Sequence, residues 1–239
     1  MAGGGWKGAL GTVTLTVAMA GLVGCSGGGG HPTVTRSASA SVAKAAAVEG
    51  ITPAMLKKAL LTRVNGVAAA APVSTGKYAS VAQASQGKQG AVQVTPKTCT
   101  VAATQGFNPT VLAGAPAAAV TFHVASNGVS EVLVVSSDKS AATALAGQIP
   151  TGCTHYKEKV DGKTVAYGIT EQTVTGVGKQ AKALNVRAVG GAASDNLWSL
   201  IYRGAGFIGM VTVIGPNASE EAVQELGQQA YAFAAKTLA

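Results

Sequence analysis

The chain has 239 residues and a net charge of +8, from 18 Lys and Arg against 10 Asp and Glu. Only 12% of it is charged and 5% aromatic, while 47% is hydrophobic, a balance that suits a packed domain rich in small side chains. The positive excess would suit nucleic acid, but the basic residues are scattered, with Lys57-Lys58 the only adjacent pair; this argues against that class and for weak attraction to anionic lipid headgroups.

The first element is a signal. Lys7 supplies positive charge, Ala9 to Val23 forms an apolar run, and small Gly24 precedes Cys25. The run is about fifteen residues, short of the roughly 20 that span a bilayer core, so it reads as a signal peptide. Cys25 stands where a bacterial lipoprotein signal places its acylated cysteine; the alternative is a plain secretory signal with a chance cysteine. Residues 1–24 are thus expected to be removed. Cys25 would carry diacylglycerol and place the chain on the extracytoplasmic face of the cell membrane. Each buried acyl methylene contributes about 0.8 kcal/mol to such an anchor. Residues 25–49, opening with Gly27 to Gly30 and including His31 and Arg36, read as a flexible tether. Residues 50–239 form one domain, large enough to bury a core without staples.

Cys99 and Cys153 are an even pair in an oxidising compartment, where a disulfide is the default and free thiols or half a metal site the alternative. Within the domain, Thr52 and Pro53 form a helix start, with Leu56, Leu60 and Val64 following at helical spacing. Residues 66–98 show only weak alternation, which predicts short strands and long loops. Phe107-Asn108-Pro109 opens a short segment to about Ala113. From Ala117 to Ala125, Val120, Phe122 and Val124 alternate with Thr121 and His123, a strand pattern. Asn127-Gly128 predicts a two-residue turn, and Val129 to Ser136, apolar on both faces, a central return strand. Asp138 is expected to cap a helix through Ala141, Ala142 and Leu145, ended by Pro150 and Gly152.

Asp161-Gly162 predicts a second hairpin. It would pair Val160 with Lys163 and set Tyr156 opposite Tyr167, with Lys157, Lys159 and Thr164 on the other face. Further strands are expected at about Lys179–Val189, Leu197–Arg203 and Phe207–Ile214. The last element is a long helix capped by Ser219, with Glu220 and Glu221 at its positive end and Val223, Leu226, Ala230, Phe233 and Ala234 on one apolar face. No repeat of 20–50 residues is visible. The pattern predicts an α+β domain with a mainly antiparallel sheet, flanking helices and a long C-terminal helix.

Several of these pieces together resemble the extracellular sensor domain of mycobacterial serine/threonine kinases, which also occurs alone in mycobacterial envelope lipoproteins. They are Ile51-Thr52-Pro53, Cys99 before an apolar strand, Val129-Ser130-Glu131-Val132, and Cys153 with Tyr156. Val165-Ala166-Tyr167, Trp198, the run Ile208 to Val213 and the terminal helix complete them. The resemblance implies an α+β fold with a cleft, one or two disulfides, and a role in ligand sensing or envelope maintenance. The chain carries no kinase domain.

Catalytic patterns are sparse. His123 and His155 sit in separate strands; His123 is the weak candidate for a base or ligand, and His155 reads as a surface residue. Ser-x-x-Lys occurs at Ser41/Lys44, Ser74/Lys77 and Ser85/Lys88, in tether and loop contexts unlike the buried helix start that this chemistry needs. Glu131 is expected in a strand, paired with a lysine, and is a weak candidate for a cleft residue. Tyr156, Tyr167, Trp198 and Tyr202 are the aromatic residues placed to shape a pocket, or else core packing. These features predict a membrane-anchored, non-enzymatic module without cofactor or metal, binding a small molecule, glycan, lipid or protein. A lipid or glycolipid carrier and an envelope hydrolase with an unrecognised site are the alternatives.

Overall fold

A computed structural model describes residues 50–86, 93–100, 102, 107, 109–147, 149–160, 163–189 and 196–239. Cys25, the expected signal and tether, and the expected turn Asp161-Gly162 lie outside the described residues.

The domain is α+β. Chain order runs from a helix (Pro53–Ala59) through β1 (Arg63–Val64), β2 (Val67–Ala68) and β3 (Ser74–Lys77) to a second helix (Tyr78–Gln86) and β4 (Gln93–Thr95). After a helical turn at Pro109–Leu112 come β5 (Pro116–Val124), β6 (Asn127–Val135) and a helix (Asp138–Ala146). Then follow β7 (His155–Val160), β8 (Lys163–Val174), β9 (Gln180–Ala188), β10 (Asn196–Arg203), β11 (Phe207–Ile214) and the C-terminal helix (Glu220–Leu238). Nine strands form one antiparallel sheet in the order β3-β5-β6-β11-β10-β9-β8-β7-β4; β1 and β2 form a separate hairpin. Among the described residues no helix is long and apolar enough to cross a membrane.

Helices cover the sheet on both sides. One face buries Leu133, Leu200, Tyr202 and Val211 under the N-terminal helix (Leu56, Ala59) and the C-terminal helix (Val223, Ala230, Ala234). The other buries Val132, Val134, Ile201 and Ile208 under Tyr78, Val81, Ala141 and Leu145. This double cover is why β6 and β11 are apolar on both faces. A third cluster, at the β7–β9 end of the second face, gathers Cys99, Cys153, Tyr156, Tyr167, Ile169 and Val186.

Several local expectations need correction. Residues 66–98 contain a nine-residue helix, Tyr78–Gln86, whose weak polar–apolar contrast hid it among loops. The β5–β6 turn is Ala125-Ser126, and Asn127-Gly128 instead opens β6, with Asn127 opposite Val124 and Gly128 opposite His123. Ala125 takes a left-handed φ of 52°. Asn127 is held in the strand because its Oδ1 accepts from the Asn217 backbone N–H at 3.2 Å. The helix after β6 is capped by Ser137, whose Oγ accepts from the Ser140 N–H at 3.2 Å. Asp138, expected as the cap, lies in the first turn and pairs with Lys179 at 2.9 Å, and that hydrogen-bonded pairing holds its carboxyl below the usual range. Phe233 is 37% exposed rather than core; Gly227 takes its place on the buried face, where a Cβ would strike the Leu200 side chain.

Other registers are as read. Val160 pairs with Lys163 and Tyr156 with Tyr167. Thr52 and Ser219 cap the first and last helices, accepting from Met55 N–H and Ala222 N–H at 3.2 Å each.

Candidate functional site

Glu131 lies on β6 opposite Val120 of β5 and Val211 of β11, on the face beneath the first and last helices. Its side chain is fully buried. Among the described residues no lysine pairs with it; Oε2 instead accepts the Leu61 backbone N–H at 2.7 Å. That donor is available because Leu60 leaves the N-terminal helix in an extended conformation. Among the described residues Oε1 has no hydrogen-bond partner. Burial raises the carboxyl pKa from 4.5 to about 8, and the Leu61 N–H offsets part of that rise. Close by, the Tyr202 ring lies over Gly209, where a Cβ would collide with it, and among the described residues its hydroxyl has no hydrogen-bond partner either. Burial first, and the Glu131 charge second, push the Tyr202 pKa well above its ordinary value.

The four aromatic residues singled out for a pocket do not meet. Directly paired residues point to the same side of a sheet, and the register places Tyr156 and Tyr167 on one face and Trp198 and Tyr202 on the other. Tyr156 and Tyr167 stack at 5.3 Å and 20°. They share a core cluster with the disulfide Cys99–Cys153, which joins residues 54 apart. Glu158 is buried on their face, and burial raises its pKa from 4.5 to about 7. Tyr202 packs edge-to-face against Phe207 at 6.4 Å and Tyr231 at 5.8 Å. Trp198 is half-buried against the same core.

Two grooves flank the β5–β6 hairpin end. One, of about 160 Å³, lies on the face opposite Glu131 and is lined by Thr121, His123, Ser130, Thr212 and Ile214. Here register aligns Thr121, Ser130, Thr212 and Ser199 in one row across four strands, and Ser199 Oγ meets Thr212 Oγ1 at 3.0 Å. The other, of about 100 Å³, lies between the C-terminal helix (Leu226, Gln229) and Val64, Asn65, Val124 and Val213. Sequence reasoning missed both, because each is assembled from strands far apart in the chain.

His123 and His155 are exposed. Ser74 and Lys77 stand on strand β3, not at a helix start. Among the described residues no three His, Cys, Asp or Glu side chains gather to hold a metal.

No family model matches this chain, and no curated protein matches it. Its fold is that of a solved structure, the extracellular domain of PknH from Mycobacterium tuberculosis. The two superpose with a TM-score of 0.54 at 12% identity, covering 79% of this chain and 96% of that domain. An uncharacterised protein from Mycobacterium smegmatis, an ortholog of Rv0999, superposes with a TM-score of 0.39 at 16% identity, covering 71% of this chain and 86% of that one. The chain shares the architecture of the extracellular PknH domain.

Proposed function

We propose that this protein is an extracytoplasmic, non-enzymatic interaction module, held at the membrane by acylated Cys25. The observation that carries this reading is the fold shared with the extracellular PknH domain over nearly all of that domain's length. The buried Cys99–Cys153 disulfide supports the same compartment, because such bonds persist where thiols are oxidised. The two grooves, at about 160 and 100 Å³, fall short of the roughly 300–1,000 Å³ that enclose small ligands. Each of these two grooves suits contact with a partner's surface better than enclosure of a small ligand.

The test is metabolic labelling of the full chain with a palmitate analogue, followed by membrane fractionation. Wild type is expected to be labelled and membrane-bound, and Cys25→Ser to lose the label. An unlabelled wild type in the soluble fraction would overturn the anchor. Turnover of generic ester, peptide or glycoside substrates by the purified chain at ordinary enzyme rates would overturn the non-enzymatic role.

A further inference from the structure

Among the described residues, the helices on the Glu131 side of the sheet leave β7, β8 and the Arg187 end of β9 uncovered. The C-terminal helix packs against β9, β10 and β11, and the N-terminal helix against β3 and β5. Register defines what this end displays. His155, Gly168 and Arg187 form one cross-strand row, and Lys157 and Lys159 follow on the same side of β7, opposite Ala166 and Thr164. All four of His155, Lys157, Lys159 and Arg187 are exposed. At about 4.8 Å between strands and 3.4 Å per residue, they occupy an area of roughly 10 by 13 Å. The two carboxylates of these strands, Glu158 and Glu171, point to the other face, where Glu171 pairs with Lys182 at 2.6 Å. Among the described residues no ion pair neutralises Lys157, Lys159 or Arg187. Among the described residues this surface is therefore basic and of one sign.

We propose that this face, through Lys157, Lys159 and Arg187, docks the folded body onto the anionic headgroups of the bilayer. The proposal rests on the membrane location argued above. Charge complementarity supports it, since a basic side chain near an anionic leaflet contributes about 1 kcal/mol. So does reach. Residues 26–49 separate Cys25 from the first helix, a distance of roughly 25–30 Å for an unfolded chain, comparable to the domain itself. That helix lies on the same side of the sheet as the basic row. The sheet's twist of roughly 20–25° per strand turns the β7 end by about 80–100° from β11, clear of the plane of the helices.

The test is amine-acetylation footprinting of the full chain mixed with excess vesicles, either phosphatidylglycerol-containing or pure phosphatidylcholine. Lys157 and Lys159 are expected to be protected several-fold on anionic vesicles only, and released at high salt. Lys139, exposed on the opposite face, should label equally on both. The charge reversal K157E/K159E/R187E should weaken the salt-sensitive part of vesicle binding by on the order of 100-fold. Both chains carry the same N-terminal apolar segment, so its contribution cancels. Equal labelling of Lys157 and Lys159 on the two vesicle types, or protection only by an added acidic protein, would overturn the proposal. Because vesicles are supplied in excess, this outcome does not depend on whether Cys25 is acylated in cells.

Discussion

Glu131 is a carboxyl in a position where only a neutral group is comfortable. In the unfolded chain it titrates near 4.5, and in the folded chain near 8. A raised folded pKa supplies stability that is complete below about pH 4.5 and lost as the pH climbs through about 8. Glu158 acts with the same sign over a window that closes near pH 7. Denaturant titrations at several pH values should therefore find the protein most stable in mild acid. Glu131→Gln keeps an acceptor for the Leu61 N–H and removes the cost of protonation. It should raise stability by about 1–3 kcal/mol at neutral pH and leave only the slope that ends with Glu158. A slope in Glu131→Gln that still reaches pH 8 would show that another group is responsible. Gly209 makes a second prediction at this scale. A methyl group there collides with the fully buried Tyr202 ring, so Gly209→Ala should cost about 1–3 kcal/mol and lower the Tm by several degrees. An unchanged Tm would mean that the ring moves freely, which its edge-to-face packing on Phe207 and Tyr231 argues against.

The elements follow from short-range chemistry to different degrees. The C-terminal helix was legible almost residue by residue, because Ser219, Glu220 and Glu221 and the buried Val223, Leu226 and Ala230 are local signals that agree with one another. Ser219→Ala removes the acceptor for the Ala222 N–H and should destabilise the fold by about 1 kcal/mol, measurable by thermal denaturation; Ser219→Asn should restore most of it. The β5–β6 turn shows the opposite case. Asn127-Gly128 is a strong turn signal, yet Asn127 Oδ1 is engaged by the Asn217 N–H and Gly128 lies where a Cβ would press on Ile214 at 3.0 Å. Contacts with the end of β11 outweigh the local preference, and Ala125 accepts a left-handed conformation in exchange. The helix Tyr78–Gln86 was illegible for a simpler reason. Its sequence, YASVAQASQ, has little apolar contrast, and it is held by burying Tyr78 and Val81 against the sheet.

At the scale of the molecule, the disulfide joins the segment before β5 to the start of β7, closing a loop that contains β5, β6 and the helix that follows β6. The chain-entropy model assigns such a loop about 4 kcal/mol. The double variant Cys99→Ala/Cys153→Ala should lose roughly that much in equilibrium denaturation, while the sheet's far-UV signature persists at low denaturant. A loss below about 1 kcal/mol would mean that the surrounding cluster of Tyr156, Tyr167 and Val186 holds the corner without the cross-link. The hairpin that stacks Tyr156 on Tyr167 could be read from the chain because two-residue loops set register directly. That these tyrosines lie on the opposite face of the sheet from Trp198 and Tyr202 could not.

What the chain alone disclosed about this protein is therefore what neighbours in sequence decide: strand alternation, helix caps, the pairing across a tight hairpin, and an α+β composition. What only the folded sheet decided is which distant strands became neighbours. That order buried Glu131 under two helices, split the aromatic residues between faces, and left Lys157, Lys159 and Arg187 exposed together where none of the described helices packs. The physical reason is that desolvation and charge proximity act through space, and a nine-strand order is set by which faces find helices to cover them.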